Sequence, residues 1–372
     1  MPHITETTGS TVKVAVLGAA GGIGQSLSLL LKTQLSQLLK PDQHAGIRLE
    51  LALYDIAAQV LDGVAADLSH INTPVSLKHY VPASREDQTA LHACLENSAV
   101  VIIPAGVPRK PGMTRDDLLA VNGKIVAGLA DSIARVCDLK RAFVLVISNP
   151  VNTLVPVVVN KLISTAQSLK RDCKGIERRV FGVTQLDMVR ASAFVQQYSD
   201  YENNELPHVP VIGGHSGETI VPLLGAAQKR YGFSADQRFA LVRRIQYGGD
   251  EVVKAKNGAG SATLSMAYAA YVTAVPFVEL FLGTRDSFTG TLFVSLIDHS
   301  GKPIAAGAQE LLAATDHTAY FAAPVTITVH DGVTAVDYKV LDLADEEDKT
   351  KLLPACVKGL KSNIEAGLSL DV

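Results

Sequence analysis

The sequence predicts an α/β fold: a doubly wound parallel sheet over roughly the first 150 residues, followed by an α+β unit. Three observations carry this. Short runs apolar on both faces alternate with helical spacing, a glycine-rich turn follows the first run, and the later half changes to helices followed by alternating strands.

Residues 11–17 (TVKVAVL) form a β-branched run that stops at Gly18, and residues 23–39 carry helix-like apolar spacing, so the order is strand, turn, helix. Residues 47–54 precede Asp55, residues 99–103 precede a Gly/Pro loop, and residues 142–147 precede Asn149-Pro150. Residues 118–136 have helical spacing. The expected units are 11–150 and 151–372. In the second, residues 187–198 and 235–247 read as helices and residues 291–297, 324–330 and 334–340 as strands. Asp331-Gly332 supplies a tight turn between the last two. Residues 343–368 read as a closing amphipathic helix, while 77–97 and 164–177 look like polar excursions beyond a compact core.

A chain of 372 residues, 47% hydrophobic and 19% charged, has the composition of a folded soluble protein with room for two domains. Its net charge of -3 leaves no global field for nucleic acid or an acidic membrane. The four cysteines are dispersed without a CxxC and the histidines do not cluster, so no disulfide framework and no metal site is expected. The longest apolar candidate for a span, 143–159, is interrupted by Ser148-Asn149-Pro150-Val151-Asn152. The first ten residues lack Arg and Lys and include Glu6, and the chain ends Leu370-Asp371-Val372, so neither a leader nor a retention signal is read. The cytoplasm is the expected compartment.

Gly18-Ala19-Ala20-Gly21-Gly22-Ile23-Gly24 stands at the first strand-to-helix junction, where glycines let backbone N–H groups approach a pyrophosphate. Asp55 ends the next strand, where an acid can accept from ribose hydroxyls and would repel a 2′-phosphate. That combination favours NAD over NADP. The interval from Gly24 to Asp55 exceeds the usual ~20 residues, which places extra sequence around 40–46. A turn followed by a solvated Asp is the structural alternative.

His215 lies among glycines in Val211-Ile212-Gly213-Gly214-His215-Ser216-Gly217, directly after an apolar run. Asp187, at the start of a helix, could hold one ring nitrogen while the other exchanges a substrate proton. Arg190 shares that helical face at i, i+3, an arrangement that an ordinary surface ion pair would also give. Asn149 ends a strand at the carboxyl edge where ligands collect, or is simply an Asn-Pro turn residue. Arg109 and Arg115 sit in PAGVPRKPGMTRDDL, residues 104–118. Pro108, Pro111 and Gly112 prevent regular structure there, and Thr114 with Asp116 and Asp117 resembles a helix start, so the loop reads as a lid that grips an anion and then enters a helix. HExxH, GxSxG and Walker patterns are absent from the sequence.

Taken in order from residue 12 to 272, GAAGGIG, LYDI, GVAADLSHI, IPAGVPRKPGMTRDDL, ISNPVN, VFGVTQLDMVRA, VPVIGGHSGETIVPL and VKAKNGAGSATLSMAYA resemble the mitochondrial and bacterial type of NAD-dependent malate dehydrogenase. The resemblance implies a Rossmann domain with an α+β substrate domain, usually a homodimer or homotetramer, and a small dicarboxylate substrate. It makes His215 the general acid/base with Asp187 its partner, Arg190 the clamp on the C1 carboxylate, Arg115 the residue that polarises the carbonyl and Arg109 the one that meets the distal carboxylate. Asn149 becomes a substrate and nicotinamide contact, and Asn122, Ile147 and Met266 line the cofactor site. A dehydrogenase of another 2-hydroxy acid lacks a use for Arg109, and a non-catalytic NAD-binding protein lacks a use for His215, Asp187 and the arginines together.

Overall fold

The computed structural model describes residues 10–40, 42–84, 86–107, 115–198 and 206–372, with the side chains of Arg115 and Asp116 outside the description. In the first half the elements are β1 (Thr11–Leu17), α1 (Gly22–Gln34), β2 (Arg48–Tyr54), α2 (Ala58–Ser69), β3 (Val75–Tyr80), α3 (Thr89–Leu95), β4 (Ser98–Ile103), α4 (Arg115–Val136), β5 (Phe143–Val146), α5 (Val151–Ser168), β6 (Val180–Gly182) and α6 (Gln185–Gln196). Then follow β7 (Val211–Gly213), β8 (Ile220–Pro222), α7 (Gly225–Tyr231), α8 (Ala235–Ala255), α9 (Leu264–Leu282), β9 (Ser287–Ser295), α10 (Ala308–Ala314), β10 (Tyr320–Thr328), β11 (Gly332–Val336) and α11 (Leu353–Leu368).

The first six strands are parallel in the order β3-β2-β1-β4-β5-β6, the doubly wound arrangement. Every residue of β4 and β5 is buried, as strands covered on both faces require. Helix α1 packs on α9 and α4 packs on α5, which supplies the two helical layers. Antiparallel β9, β10, β7 and β8 extend the sheet beyond β6, joined by the pairing of Gly182 with Phe293. Phe277 of α9 pins the junction: its ring centroid is 4.9 Å from Phe143, 5.1 Å from Phe181 and 4.9 Å from Phe288. Truncating such a fully buried ring costs about 3–5 kcal/mol.

Several elements differ from the sequence pattern, each for a local reason. The parallel sheet runs past residue 150 to Gly182, because β6 is only three residues long and leaves no readable apolar run. The supposed polar excursion at 77–97 contains most of β3 and all of α3. Its polarity follows from β3 being the sheet edge, and buried lysines elsewhere hold the backbone around it. Lys32 donates to Val75 O at 2.8 Å and to Thr73 Oγ1 at 2.9 Å, while Lys13 donates to the carbonyls of Ala93 and Glu96, each at 3.0 Å. The excursion at 164–177 holds the end of α5 and the turn leading to β6. Helix α8 continues past 247 across a kink at Tyr247 (φ -118°, ψ 17°), since Gly248-Gly249 interrupts the helical pattern without ending the helix. The closing helix expected from 343 is instead a 3-10 turn (Tyr338–Leu343), a π turn (Asp348–Leu352) and α11. Among the described residues, α9 rather than 143–159 is the helix long and apolar enough to cross a membrane. Its buried residues, Phe277 and Val278 among them, lie in the protein core.

Candidate active site

Because β1, β2, β4, β5 and β6 are parallel, their carboxyl ends share one edge, and Gly18, Asp55, Pro104, Asn149 and Asp187 all lie just beyond it. Gly18 turns the chain with φ +105°, and a Cβ there would stand 2.6 Å from Ala105 Cα. At Gly24 a Cβ would come 2.1 Å from Gly18 O, so only glycine lets α1 start this close to β1. The N-cap Gly21 offers α1 no side-chain partner, which leaves first-turn N–H groups directed outward. Asp55 faces this turn: its Oδ2 accepts the Ala20 N–H at 2.9 Å and its Oδ1 the Ala57 N–H at 3.0 Å. The cleft between these segments has a volume of about 540 Å³ and is lined by Gly18, Gly21, Asp55, Ile56, Gly106 and Ile125 among others. A glycine cradle, an open helix start and an acid at the next strand end together fit a dinucleotide.

Asn122, buried on α4, ties the start of the loop after β4 to the loop after β5. Its Oδ1 accepts the Val107 N–H at 2.8 Å, and its Nδ2 donates to Asn149 O at 2.8 Å and Val107 O at 3.3 Å. The Asn122 side chain is therefore committed to backbone. Ile147 and Met266 are buried, Ile23 is half-buried and Asn149 is exposed next to a cis bond to Pro150. Arg109 lies outside the described residues. Arg115 opens α4, and its side chain is likewise outside the description.

The titratable centre forms between α6 and the loop after β7. His215 Nδ1 is 2.6 Å from Asp187 Oδ2, with Asp187 1% exposed and the His215 side chain 8% exposed. Arg190 Nη1 stands 3.8 Å from Asp187 Oδ1, an atom with no hydrogen bond among the described residues. Burial lowers the Arg190 pKa, while Asp187 and Glu251 oppose the shift. Gly248, just past the α8 kink, leaves room for its stem, since a Cβ there would stand 3.1 Å from Arg190 Cδ. A buried acid clamping one imidazole nitrogen leaves Nε2 as the ring atom free for proton exchange.

The structure thus brings Asp187, Arg190 and His215 together, and separately assembles the glycine turn with Asp55. Residues 149–152 join the loop after β4 to the His215 loop, because Asn122, which holds Val107, donates to Asn149 O, and Asn152 Oδ1 accepts the His215 N–H at 2.8 Å. Sequence reasoning missed Asn152. Its signal in the sequence is the second asparagine of the motif ISNPVN, three residues after Asn149.

Two family descriptions cover almost all of the chain: the lactate/malate dehydrogenase NAD binding domain matches residues 12–181, and the lactate/malate dehydrogenase alpha/beta C-terminal domain matches residues 184–370. The cytoplasmic malate dehydrogenase of Saccharomyces cerevisiae is 50% identical over 375 residues, covering 99% of this chain and 97% of that protein. The mitochondrial malate dehydrogenase of the same yeast is 42% identical over 367 residues, covering 98% and 96%. The crystal structure of Cryptosporidium parvum malate dehydrogenase superposes with a TM-score of 0.69 over 97% of this chain and 100% of that chain, at 24% identity, which speaks to the fold.

Proposed function

The chain belongs to the lactate/malate dehydrogenase family, and from that premise we propose that it interconverts (S)-malate and oxaloacetate with His215 and Asp187 as the acid/base pair. Its enzyme class is NAD-dependent malate dehydrogenase. Residues 11–150 then carry most of the NAD contacts, with Gly18, Gly21, Gly22, Ile23, Gly24 and Asp55 around the adenosine and pyrophosphate. Residues 151–372 carry the acid/base pair and Arg190.

NAD held in the cleft supplies the hydride acceptor. Neutral His215 takes the C2 hydroxyl proton at Nε2, while its Nδ1–H donates to Asp187 and the imidazolium that forms is stabilised by the buried carboxylate. Arg190 grips the C1 carboxylate through two parallel N–H donors, a geometry lysine cannot supply. Arg109 meets the distal carboxylate and so selects a dicarboxylate, because a monocarboxylate would leave its guanidinium unpaired in a closed site. Arg115 meets the carbonyl oxygen, where water exclusion strengthens its field. The 2.6 Å contact between His215 and buried Asp187 is the observation that carries this reading.

The homodimer, with a homotetramer as the alternative, and the cytoplasm complete the proposal; the latter rests on the similarity to the cytoplasmic yeast enzyme. The test is NADH oxidation by the full chain with oxaloacetate, pyruvate and phenylpyruvate, repeated with NADPH. Turnover confined to oxaloacetate and NADH is expected. Comparable turnover of pyruvate or phenylpyruvate would overturn the role given to Arg109, and equal use of NADPH that given to Asp55.

A further inference from the structure

Asn152, buried at the start of α5, is a hydrogen-bond hub behind His215. Its Oδ1 accepts the His215 backbone N–H at 2.8 Å, and its Nδ2 donates to Thr219 Oγ1 and to Asn363 Oδ1, each at 3.0 Å. Thr219 closes the loop on itself: the hydroxyl donates to Ser216 O at 2.8 Å and accepts the Ser216 N–H at 3.1 Å. Both polar atoms of the Asn152 side chain are used, and the N–H donor at Oδ1 fixes which way the amide faces.

Asn363 belongs to α11, which packs tightly behind the same loop. Cys356 Sγ lies 3.1 Å from Thr219 O, a Cβ on Gly359 would stand 2.8 Å from Thr219 Cγ2, and one on Gly214 would stand 2.7 Å from Leu360 Cδ2. The loop itself holds Gly213, Gly214 and Gly217, which have no side chains with which to pin the backbone around His215. Thr219 holds the loop together from within, and Asn152 and α11 place it from outside.

We propose that Asn152 and Asn363 are positioning residues, through which helix α11 holds the His215 backbone at the place from which the ring meets Asp187. The proposal rests on the acid/base reading of His215. A displacement of about 1 Å is enough to cost a reaction most of its alignment, so the effect belongs in turnover.

The test is Asn363→Leu, which keeps bulk and removes the acceptor for Asn152, with Asn363→Ala as a second truncation and Asn363→Asp as the variant that keeps an oxygen there. Loss of roughly tenfold in kcat is expected for Leu and Ala, with the KM for NADH unchanged. Asn363→Asp should recover most of the turnover. A lowered melting temperature with kcat unchanged in the truncated variant that folds would overturn the proposal. His215→Asn, run in parallel, separates the two readings: if it retains turnover the acid/base assignment fails, and if it is inactive while the Asn363 variants match the parent, only the positioning assignment fails.

Discussion

His215 Nδ1 and Asp187 Oδ2 approach to 2.6 Å at the meeting of two segments that the sequence separates by 28 positions. One segment is the first turn of α6, the other the glycine-rich loop after β7. The carboxylate is buried, so it has few competitors for its charge and fixes the imidazole tautomer. Asp187→Asn should preserve the fold but present an amide whose NH2 favours the wrong tautomer. We expect kcat to fall by roughly 10²–10⁴ with NADH binding retained, measured by steady-state rates and nucleotide fluorescence. Retained turnover would exclude the pair as the acid/base centre.

Cofactor choice should respond to Asp55. Its Oδ2 accepts the Ala20 N–H and its Oδ1 the Ala57 N–H, so Asp55→Asn removes the negative charge and keeps an acceptor for one of the two. The ratio of kcat/KM for NADH to that for NADPH should fall by about tenfold, one unit charge near a phosphate being worth roughly 1–2 kcal/mol at a partly exposed site. An unchanged ratio would move the discrimination elsewhere in the cleft.

Gly24→Ala tests the close approach of α1 to β1. The added Cβ would stand 2.1 Å from Gly18 O and 2.6 Å from Ala19 Cα, both backbone atoms that cannot rotate away. Loss of about 1–3 kcal/mol in chemical denaturation is expected, together with weaker NADH binding, because the helix start must shift. A variant that binds NADH as tightly as the parent would mean that the turn is more tolerant than its geometry indicates.

Stability should also depend on pH through Asp348, a fully buried acid at the π turn that leads into α11. Burial pushes its pKa up from 3.8 to about 6; Arg238 and the Asp345 backbone N–H oppose the shift, and the charges of Asp345 and Glu347 add to it. A carboxyl raised in the fold binds its proton more tightly there than in the unfolded chain. Its contribution to stability is therefore present below pH 3.8 and is lost as pH rises through 6. Asp348→Asn mimics the protonated form, while Asp345 and Glu347 still pair with Arg238. The variant should be more stable than the parent at pH 8 by roughly 1–3 kcal/mol, with the difference closing near pH 4. A variant that melts lower at pH 8 would show that the ion pair to Arg238 at 2.7 Å outweighs the cost of burial.

Elements whose pattern is a long uninterrupted run were legible directly. β1 coincides with the run at 11–17, and α4 includes the expected 118–136. The glycine turn with Asp55, and the stretches that hold Asp187 and His215, were legible as motifs. Elements that depend on partners were not. β3 reads as polar because it is an edge strand whose neighbourhood is anchored by Lys13 and Lys32, and β6 needs only three residues because it is flanked by β5 on one side and β9 on the other.

What the sequence determined by itself is the parallel α/β order, the glycine-rich turn at the first strand end and the set of polar residues available for chemistry, since these follow from local spacing and residue type. The tertiary structure decided which of those residues meet. It set Asp187 against His215, tied Asn122 to the start of the loop after β4, and made Asn152 the link between the β5 edge, the His215 loop and α11. Spacing along a chain carries no information about such contacts, because strands and helices bring distant segments together only when the sheet order, the kink in α8 and the packing of α11 are all in place.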